Sequence, residues 1–586
     1  MVEKKKNTKL QALYQFIILL MIIAAINMFG ATFFTHFDLT SEKRYTLSPA
    51  SKDLLDNLDD VVSFEVFLDG DLRRGFKRLR RETQELLQQF KAYSGNIEYQ
   101  FIDPMQSDDP EERKNIYDRL IERGLQPTDV QMKTNDGMQR KIIFPGIIVS
   151  YKGQEMPLEL LNTQVAAAPE EVINSSIENL EFMIANTIRK LSVHDKPAVA
   201  FIHGHKELSP LKTGDIYQAL REYYNVYRIQ IDGHINSLVE RKKYDSTAAT
   251  AIQKKYEAII IAKPDSAFSE KDKFIIDQYI MYGGKVLWLV DGVKTDMDSL
   301  QIKSFTYATL LDINLQDMLF QYGVRINNNL VLDLSALPIP VKTGKTGNAP
   351  KIEFFPWYYF PIIYPNIDHP IVKNLNAIKS EYISTIDTVA AENIKKTILL
   401  TSTKYAKTES TIAYITLDNL GKEPDRRLFR KHDLPMAVLL EGKFHSLFDN
   451  RVPKSLIDDS IIRFKKESRD TKMIVVGDGD IIKNQVYRNA DGTYSALPLG
   501  YDKYTKQNFG NRDFILNAMN YLIDETGLIS IRSRNVKLRM LNSEKVQHER
   551  TYWQILNVVL PLIILFLFAF AMVFQRKFRY SKKKER

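Results

Sequence analysis

The feature that most constrains the fold is a pair of long apolar segments, one near each end of the chain. Phe16 to Phe34 contains no charged side chain, and Ile555 to Phe574 repeats this character near the other terminus. A helix of about 19 residues nearly matches the ~30 Å hydrocarbon core of a bilayer. The sequence therefore predicts transmembrane helices at 16–34 and 553–574, with everything between them outside the bilayer.

Basic residues flank both segments on the side of the chain terminus. Four lysines lie before the first segment, and seven basic residues lie after the second. Because cytoplasmic flanks of membrane helices are enriched in Lys and Arg, residues 1–15 and 575–586 are predicted to be cytoplasmic tails. The body is then predicted to be periplasmic, with the protein in a bacterial inner membrane. Tyr552 and Trp553 are expected at the outer membrane interface, where aromatic residues are enriched.

A cleaved signal peptide is the alternative for the first segment. The segment is longer than the usual apolar region of a signal peptide, and its exit at 33–37 offers no small-x-small cleavage site. An uncleaved anchor is therefore favoured. The basic tails also account for the formal net charge of +9, so the large middle is close to neutral and gives no indication of nucleic-acid binding.

Residue types that are absent exclude several chemistries. The chain has no cysteine, which excludes disulfides, thiol catalysis and thiolate metal ligands. No Gly-x-x-x-x-Gly-Lys-Ser/Thr motif occurs, so ATP hydrolysis would have to come from a partner. We therefore expect no cofactor, no bound metal and no enzymatic activity.

Residues 35–193 show a strand–helix–strand pattern, followed by a helix, a hairpin and a long helix. Val61 to Leu68 and Ile97 to Ile102 have the branched and aromatic composition of strands. Ile173 to Leu191 places apolar residues at helical spacing. The order β-α-β-α-β-β-α predicts a thioredoxin-like domain. Without cysteine this domain lacks the redox pair of that fold, so we interpret it as a binding or spacer module.

Residues 194–525 alternate short apolar strands with helices. The clearest strands are Ala198 to His203, Ala258 to Ala262, Lys285 to Val290 and Met473 to Val476. This alternation is typical of a doubly wound parallel sheet. The predicted fold class is therefore α/β, with a thioredoxin-like domain followed by a doubly wound α/β domain.

Two stretches depart from this alternation. Residues 335–370 interrupt the pattern, and Pro338, Pro340, Gly344, Gly347 and Pro350 are expected to form a loop there. Residues 526–552 are assigned as a linker to the membrane. The linker carries a basic cluster that would either meet lipid headgroups or a partner, or lie in solvent. Its members are Arg532, Arg534, Lys537 and Arg539.

Several polar residues follow predicted strands at their carboxyl ends, where open α/β sheets bind ligands. They form the candidate ligand-binding set His203, His205, Glu207, Asp291, Asp478 and Asp480. Imidazoles with a carboxylate can hold a metal or bind a sugar, and paired carboxylates can bind a cation or act in acid/base catalysis. The alternatives are a polar loop for the histidines and turn or cap chemistry for the aspartates. The spacing matches no established metal motif.

An aromatic run lies between prolines in the interrupting stretch. Its members, the candidate partner-binding surface, are Phe354, Phe355, Trp357, Tyr358, Tyr359 and Phe360. Prolines prevent a regular helix here, so some rings are expected to stay exposed as a platform for sugar or protein. The alternative is a loop packed onto the sheet.

Five stretches, in order along nearly the whole chain, resemble the GldG family. They are Asp38-Leu-Thr-Ser-Glu-Lys-Arg-Tyr-Thr-Leu-Ser-Pro, Gly75-Phe-Lys-Arg-Leu-Arg, Phe354-Phe-Pro-Trp, Leu439-Leu-Glu-Gly-Lys-Phe and Gly510-Asn-Arg-Asp-Phe-Ile-Leu-Asn-Ala-Met-Asn-Tyr-Leu. That family comprises gliding-motility-associated, substrate-binding-like auxiliary proteins of an ABC transporter.

The resemblance implies a membrane complex with a multi-span permease and a cytoplasmic ATPase, tied to gliding motility and to surface secretion. Analogy with a two-fold transporter suggests two copies per complex. The central domain is implied to resemble one shared with intraflagellar-transport proteins and related in fold to class I glutamine amidotransferases. Those enzymes use a cysteine nucleophile, which this chain lacks.

We therefore expect a non-enzymatic auxiliary subunit of an ABC transporter, held by two terminal helices that pack on the permease. Its outer body would engage a substrate, an envelope protein or a polysaccharide. One alternative is a structural scaffold of envelope motility or secretion machinery. Another is a carbohydrate-active enzyme, in which Asp478, Asp480, His203 and Glu207 would converge in one cleft.

Overall fold

A computed structural model describes residues 13–25, 27, 46–107, 109–134, 137–162, 168–193, 195–231, 233–243, 250–295, 297–346, 349–524, 526–533 and 543–581. Its helices are α1 Leu13–Ala25, α2 Pro49–Asp56, α3 Arg74–Tyr93, α4 Pro110–Glu122, α5 Pro169–Ser192, α6 Gly214–Arg221, α7 Glu270–Met281, α8 Asp298–Ile302, α9 Gln316–Gln321, α10 Lys454–Ile457, α11 Asn511–Ile523 and α12 Ser543–Ser581. Residues 1–534 form one compact unit, and residues 535–586 form another.

The strands fall into a small first group and a larger second group. The first group is β1 Val62–Val66, β2 Ile97–Phe101, β3 Thr128–Thr134, β4 Gly137–Ile143, β5 Gly146–Tyr151 and β6 Gln154–Glu159. The second group begins with β7 Ala198–His203, β8 Asn225–Gln230, β9 Val239–Lys243, β10 Thr250–Lys254, β11 Ala258–Ala262, β12 Lys285–Leu289, β13 Val293–Lys294, β14 Phe305–Leu310, β15 Val324–Ile326 and β16 Asn329–Asp333.

The second group continues beyond the middle of the chain. Its further strands are β17 Ala336–Thr346, β18 Ala349–Ile363, β19 Ile378–Lys379, β20 Ile386–Thr388, β21 Ile394–Thr401, β22 Ala406–Ser410, β23 Ala413–Thr416, β24 Pro435–Gly442, β25 Thr471–Val476, β26 Val486–Arg488, β27 Tyr494–Ala496, β28 Tyr501–Asp502 and β29 Gln507–Asn508.

The first sheet has four strands in the order β2-β1-β5-β6. β1 and β2 are parallel because α3 crosses between them, whereas β5 and β6 are antiparallel to their neighbours. Val62, Phe64 and Val66 point inward along β1 and are fully buried, as the alternation of side chains in a strand requires. α3 and α5 contact each other, and α5 also contacts β5 and β6. The hairpin β3-β4 is inserted between α4 and β5.

The second sheet has seven strands in the order β21-β24-β25-β12-β11-β7-β8. The five strands from β25 to β8 are parallel, and β24 and β21 are antiparallel additions. Every residue of β11, Ala-Ile-Ile-Ile-Ala, is buried, as expected for a parallel strand covered on both faces. Residues of α6 and α11 cover one face of this sheet, and residues of α7 and α9 cover the other. The mixed α/β architecture predicted from the sequence is confirmed.

The strand order locates a topological switch point. The chain passes from β7 to β8 on one side and then to β11 on the other. Because the connections after β7 and β11 run to opposite sides, a crevice opens between the carboxyl ends of these two adjacent strands. The predicted polar residues after β7 border this crevice, and those after β12 and β25 lie farther along the same edge of the sheet.

The loop expected from the prolines and glycines between Pro338 and Pro350 is wrong. β17 and β18 instead form a long antiparallel hairpin, with register shifts near each end of the pairing. Pro338 faces Pro356, and Pro340 faces Phe354. β19 pairs with β18 only at Ile362 and Ile363, so Pro338, Pro340 and Pro356 lie where the outer edges of the hairpin have no paired strand among the described residues. A proline at such an edge removes no N–H that the sheet needs, which is why these prolines are compatible with strands.

The predicted first span lies only partly within the described residues. α1 covers Leu13–Ala25, and residues 28–34 fall outside the described ranges. α12 contains 39 residues, and its section His548–Phe578 includes an 18-residue window with a mean hydropathy of 2.8, none of which is buried. That section has the length and composition to cross a membrane.

The beginning of the predicted linker is packed. Residues 528–533 form a 3-10 helix in which Leu528, Ile529 and Ile531 are buried. Arg532 donates hydrogen bonds to the carbonyl oxygens of Pro370 (3.2 Å) and Lys373 (2.7 Å). Arg532 is therefore a structural residue. The other three members of the predicted basic cluster, 534, 537 and 539, lie outside the described residues.

Candidate functional site

The carboxyl ends of β11, β12 and β25 bring charged side chains to one edge of the large sheet. Lys263 follows β11 directly, Asp291 follows β12, and Asp478 and Asp480 follow β25. Carboxylate oxygens of the three aspartates lie within 4.8 Å of one another. The structure thus brings together three residues that follow two different strands, β12 and β25.

Two lysines form ion pairs with two of these carboxylates, those of Asp291 and Asp480. Lys263 Nζ forms an ion pair with Asp480, and it lies 3.1 Å from Asp291 Oδ2. Lys483 Nζ contacts the other oxygen of Asp480 and lies 2.7 Å from Glu381 Oε2. We call Lys263, Asp291, Glu381, Asp478, Asp480 and Lys483 the edge cluster.

Backbone N–H groups complete the partners of the aspartates. Asp478 accepts hydrogen bonds from the N–H of Asp480 (2.7 Å) and the N–H of Glu381 (3.0 Å). The N–H of Gly479 donates to Asp291 Oδ1 at 2.5 Å. A Cβ at position 479 would lie 2.6 Å from the Cβ of Lys263, so this turn needs glycine. These contacts fix the loop after β25 against the loops after β11 and β12.

The pKa values within the edge cluster diverge. Burial raises the pKa of Asp478 well above its usual range, and the neighbouring carboxylates Asp480 and Asp291 add to that rise. Burial also raises the pKa of Asp291, although Lys263 opposes this. For Asp480 the burial effect is overcome by Lys483 and Lys263, which lower its pKa. Two ammonium groups thus outweigh burial at Asp480, whereas burial outweighs the single ammonium of Lys263 at Asp291.

This arrangement limits the chemistry of the aspartates. The ammonium groups of Lys263 and Lys483 occupy positions where a bound cation would sit. Both oxygens of Asp478 already accept backbone hydrogen bonds. A general acid or base needs a carboxyl oxygen that can reach substrate, which this geometry does not offer at Asp478. The contacts favour a structural role for the cluster.

An open cavity of about 620 Å³ lies beside the edge cluster. Glu207, Asp291 and Asp480 line it, as do Lys263, Glu381 and Lys483. Lys206 and Lys212 line the side near β7. The lining carries both signs of charge. We call this space the edge cavity.

The two predicted histidines do not line the edge cavity among the described residues. His205 is buried with its ring stacked on Phe268 at a centroid distance of 3.6 Å. Its ring nitrogens lie 3.4 Å from Glu207 Oε1 and 3.2 Å from Asp272 Oδ2. Burial alone would lower the pKa of His205, but Glu207 and Asp272 raise it.

His203 has a different environment. Its Nε2 lies 3.3 Å from Arg228 Nη1. Burial lowers the pKa of His203, and Arg228 lowers it further. The structure therefore brings Glu207, Asp291 and Asp480 to one cavity and places His203 and His205 elsewhere. A ligand-binding role for any of them stays a prediction.

Sequence reasoning missed the lysines and Glu381. Lys263 was detectable, because it directly follows an apolar strand that ends at the same edge as Asp291. Lys483 lies three residues after Asp480, so it too had a local signal. Glu381 belongs to a segment without such a signal, and only the tertiary structure brings it near Lys483.

The aromatic run lies on β18 and is partly exposed. Trp357 and Phe360 are buried, whereas the side chain of Phe354 is 50% exposed. Phe355, Tyr358 and Tyr359 are half-buried. A second open cavity of about 640 Å³, the hairpin cavity, is lined by Trp357, Tyr358 and Tyr359 together with Phe429 and Tyr414. The run is therefore neither a loop nor a fully exposed platform.

An exposed aromatic cluster near this cavity was not predicted. Phe305, Tyr307 and Tyr414 have ring centroids 5.4–6.0 Å apart. Tyr307 pairs with Tyr414 across β14 and β23. The rings of Tyr307 and Tyr414 are each about half exposed. Their sequence spacing carried no signal, because the cluster forms only when distant strands pair.

The membrane-interface prediction concerns Tyr552 and Trp553 on α12. Both side chains are exposed, and Trp553 Nε1 donates a hydrogen bond to Glu549 at 2.9 Å. Both lie near the start of the apolar section. Their position along the helix is compatible with an aromatic belt.

Comparisons with known proteins bear on two parts of the chain. Residues 41–150 match a family described as a domain of unknown function. No curated protein matches the chain. A solved structure described as "mmIFT52 N-terminal domain" is 12% identical, covers 56% of this chain and 97% of its own, and has a TM-score of 0.29. That score carries no argument about the fold.

The remaining comparison covers the large α/β region. Residues 196–518 match the family described as the ABC-type uncharacterized transport system, whose members are auxiliary proteins. The match contains all seven strands of the large sheet, the edge cluster and the aromatic hairpin. It also spans more than half of the 586 residues. The protein therefore belongs to the auxiliary-protein family of this ABC-type transport system.

Proposed function

We propose that the protein is a non-enzymatic, membrane-anchored auxiliary subunit of an ABC transporter. The observation that carries this proposal is the family match over 196–518 in a chain that also contains a helix able to cross a membrane. The partners would be a multi-span permease and a cytoplasmic ATPase. The absence of a phosphate-binding lysine motif in the sequence agrees with an ATPase on another chain.

In this proposal both termini are cytoplasmic and the body is periplasmic. The basic residues before Phe16 and after Phe574 support that orientation. Helices at 16–34 and 553–574 would pack on the permease. Shifts in that packing would link ATP hydrolysis to the outer body, since a coupled change needs two states that differ in contacts.

The N-terminal domain would be a thioredoxin-like spacer without redox activity. The order β2-β1-β5-β6, with β1 and β2 parallel, supports this interpretation. The α/β domain would then carry the binding surfaces. Their candidates are the edge cavity with Glu207, Asp291 and Asp480, and the hairpin cavity with its aromatic lining.

A scaffold for envelope machinery is the second candidate function. The exposed aromatic cluster on β14 and β23 favours it, because large apolar side chains in solvent often mark protein contacts. The GldG resemblance would place either function in gliding motility or surface secretion. In both cases the ion pairs of Lys263 and Lys483 with Asp291 and Asp480 argue against a carbohydrate-active enzyme, because they occupy the carboxylates that would act in catalysis.

The proposal is tested by mild cross-linking in membranes, followed by detergent extraction with the intact chain as bait. Recovery of a multi-span permease and an ATPase is the expected result. Recovery of envelope proteins without an ATPase would replace the transporter proposal with the scaffold. A chain cut after residue 533, which lacks α12, is the control and should lose the permease.

Coupling to the ATPase needs a separate measurement. ATP hydrolysis by the purified complex would be compared with hydrolysis by a complex that lacks the outer body. We expect the rates to differ, since the body would bias the two states of the permease. Equal rates would contradict coupling while leaving the complex itself intact.

A further inference from the structure

The hairpin cavity has walls from five segments that are distant in sequence. They are β16, β18, β22, β23 and the segment 420–429. A Cβ at Gly421 would lie 3.1 Å from the ring of Phe355, so the segment 420–429 packs closely against β18. The cavity therefore depends on contacts between several strands and this segment, and it is a built feature of the fold.

Aromatic rings make up much of the apolar lining of the hairpin cavity. Tyr358 packs edge-to-face on Phe429 at a centroid distance of 5.9 Å, and the ring of Trp357 lies 5.1 Å from that of Tyr359. The face of an aromatic ring is electronegative and attracts partly positive hydrogen atoms. The C–H groups on one face of a sugar ring are such hydrogen atoms, so sugar rings pack well against a lining of this kind.

A charged pair lies among these rings. Lys407 Nζ is 2.7 Å from Glu409 Oε1, and Glu409 Oε2 accepts a hydrogen bond from the hydroxyl of Tyr359 at 2.7 Å. The side chains of Lys407 and Glu409 are 25% and 30% exposed, and both line the cavity. A carboxylate oxygen accepts more than one hydrogen bond, and an ammonium group donates three. The pair therefore offers an acceptor and a donor side by side, which two adjacent sugar hydroxyls match.

The formal charges of the cavity lining cancel. Three basic and three acidic side chains contribute to it, namely Lys407, Lys422, Arg426, Glu409, Glu423 and Asp425. A charged ligand, such as an acidic polysaccharide, gains no net electrostatic attraction from such a lining. An uncharged ligand with many hydroxyl groups can pair with both signs of charge, because each hydroxyl both donates and accepts hydrogen bonds.

The hairpin cavity continues onto exposed aromatic surface at Tyr414. Tyr414 lines the cavity, and its ring centroid lies 5.5 Å from that of Phe305 and 5.4 Å from that of Tyr307. The side chains of Phe305, Tyr307 and Tyr414 are 37%, 51% and 51% exposed. A small sugar would contact the cavity alone, whereas a chain of sugars can leave the cavity over Tyr414 and contact the other two rings. The open end therefore favours a polymer.

We propose that the hairpin cavity binds an uncharged polysaccharide, with sugar rings on its aromatic side chains and sugar hydroxyls on Lys407 and Glu409. This inference rests on the proposed role of the cavity as a binding surface, and it adds the chemical class of the ligand. A protein partner could cover the exposed rings, but it would have to bring a matched pair of polar groups into the cavity. A polysaccharide carries suitable hydroxyls on every unit.

The test measures binding of defined sugars to the purified full-length chain by isothermal titration calorimetry. The chain is held in lipid nanodiscs, because maltoside detergents carry sugar headgroups that would compete. The uncharged probes are unbranched hexasaccharides of glucose, galactose, mannose, xylose and N-acetylglucosamine, and hexagalacturonate is the acidic counterpart. We expect saturable binding of at least one uncharged probe and no binding of hexagalacturonate.

Two substitutions locate the binding to the cavity. Tyr414→Ala removes the ring at the open end, and Glu409→Gln removes the carboxylate of the charged pair while keeping its size. Each should weaken binding of the uncharged probe about tenfold, the scale of one lost ring contact or charged hydrogen bond. Tyr487→Ala, at a similarly exposed ring on β26, is the matched control and should bind like wild type. Thermal unfolding would verify that each variant is folded.

The inference is overturned if no uncharged probe binds, if hexagalacturonate binds as tightly, or if both cavity variants bind like wild type. Loss of an envelope protein from the cross-linked material with Tyr414→Ala, in a chain that binds no probe, would assign the cavity to a protein instead.

The membrane cross-linking experiment separates this inference from the proposed function. Tyr414→Ala should recover the permease and the ATPase as wild type does, since those contacts are proposed at the membrane helices. If these partners are recovered but no sugar binds, the transporter proposal stands and the sugar inference alone is wrong. If sugar binds but the partners are absent, the sugar inference stands and the transporter proposal is wrong.

Discussion

Asp480 in the edge cluster and Trp357 in the hairpin are both more than nine-tenths buried, but their surroundings differ. Asp480 contacts two ammonium groups, from Lys263 and Lys483, that arrive from separate segments. Trp357 Nε1 has no hydrogen-bond partner among the described residues, and its neighbour Phe354 is half exposed. A buried charge requires partners on every side, whereas an aromatic strand can bury one face and leave the other in solvent.

This difference separates a structural region from a binding region. The charged groups of the edge cluster pair with one another, and these contacts hold together the loops after β11, β12 and β25. The hairpin retains exposed apolar surface beside a cavity. We therefore expect the edge cluster to govern stability and the hairpin to govern recognition. Four measurements can break or sharpen this division.

The largest expected effect is at Lys263. Lys263→Met removes one ammonium and leaves Asp291 and Asp480 short of positive charge. Breaking a buried ion pair by removing one partner typically costs about 4 kcal/mol of unfolding free energy. Urea unfolding of the solubilised chain would measure this cost. Lys342→Met, at an exposed position in the hairpin, is the control and should change stability by less than about 0.5 kcal/mol.

A small loss of unfolding free energy with Lys263→Met would mean that the edge cluster tolerates an unpaired carboxylate. In that case Asp291 and Asp480 would be available to an external cation. The assignment of a purely structural role to the edge cluster would then be wrong.

The next effect is at Trp357. Trp357→Ala removes a buried ring from the base of the hairpin, and large-to-small core substitutions of this kind cost about 3 kcal/mol. Thermal or urea unfolding would detect the loss. If stability were unchanged, the hairpin would not be anchored by this ring, and its exposed surface would lack a rigid support.

A smaller effect concerns pH and His205. The pKa of His205 is raised in the folded state, because Glu207 and Asp272 outweigh its burial. Its stabilising contribution is therefore fully present below the ordinary histidine pKa and is lost as pH rises through the folded-state pKa. The contribution changes by at most about 1.4 kcal/mol per pH unit.

His205→Gln tests this sign. Unfolding free energies of both chains would be measured across the neutral and mildly alkaline range. The difference between wild type and variant should shrink as pH rises. A difference that grows with pH would show that His205 is neutral in the folded protein.

The smallest effect on stability is expected at Phe354. Phe354→Ser changes a half-exposed ring, so stability should move by less than about 0.5 kcal/mol. In the membrane cross-linking experiment described above, the amount of partner protein recovered with the Phe354→Ser chain should nevertheless fall. Tyr487→Ser, on the separate hairpin β26-β27, is the control and should leave recovery intact. Equal recovery from both variants would remove the hairpin as a recognition surface.

Local sequence was enough to predict many elements. A short, wholly apolar run such as Ala258 to Ala262 is typical of a parallel strand that is covered on both faces. The alternation of such runs with helices therefore predicted the α/β pattern. The prolines between Pro338 and Pro350 predicted a loop wrongly, because proline is excluded from interior strands but tolerated at the free edges of a hairpin. The sequence does not show which strand edges remain free.

The candidate site was predictable only in part. Asp291, Asp478 and Asp480 follow strands that end at one edge, so their convergence follows from parallel topology. The ion pairs of Asp291 and Asp480 with Lys263 and Lys483 do not follow from topology, because the direction of each side chain depends on how the loops pack. The histidines shared the same strand-end signal, yet His205 is buried on Phe268. Strand-end position alone therefore cannot separate a cavity residue from a packed one.

By itself the sequence determined what depends on composition and short-range spacing. The apolar length of α12, the absence of cysteine and the strand–helix alternation are properties of neighbouring residues. Only the tertiary structure decided which charges pair, which aromatic rings stay in solvent and where the cavities lie. Those outcomes depend on contacts between segments up to hundreds of residues apart, such as Lys263 with Asp480. Such contacts form only when the whole sheet is assembled, because each side chain then has a definite set of neighbours to satisfy it.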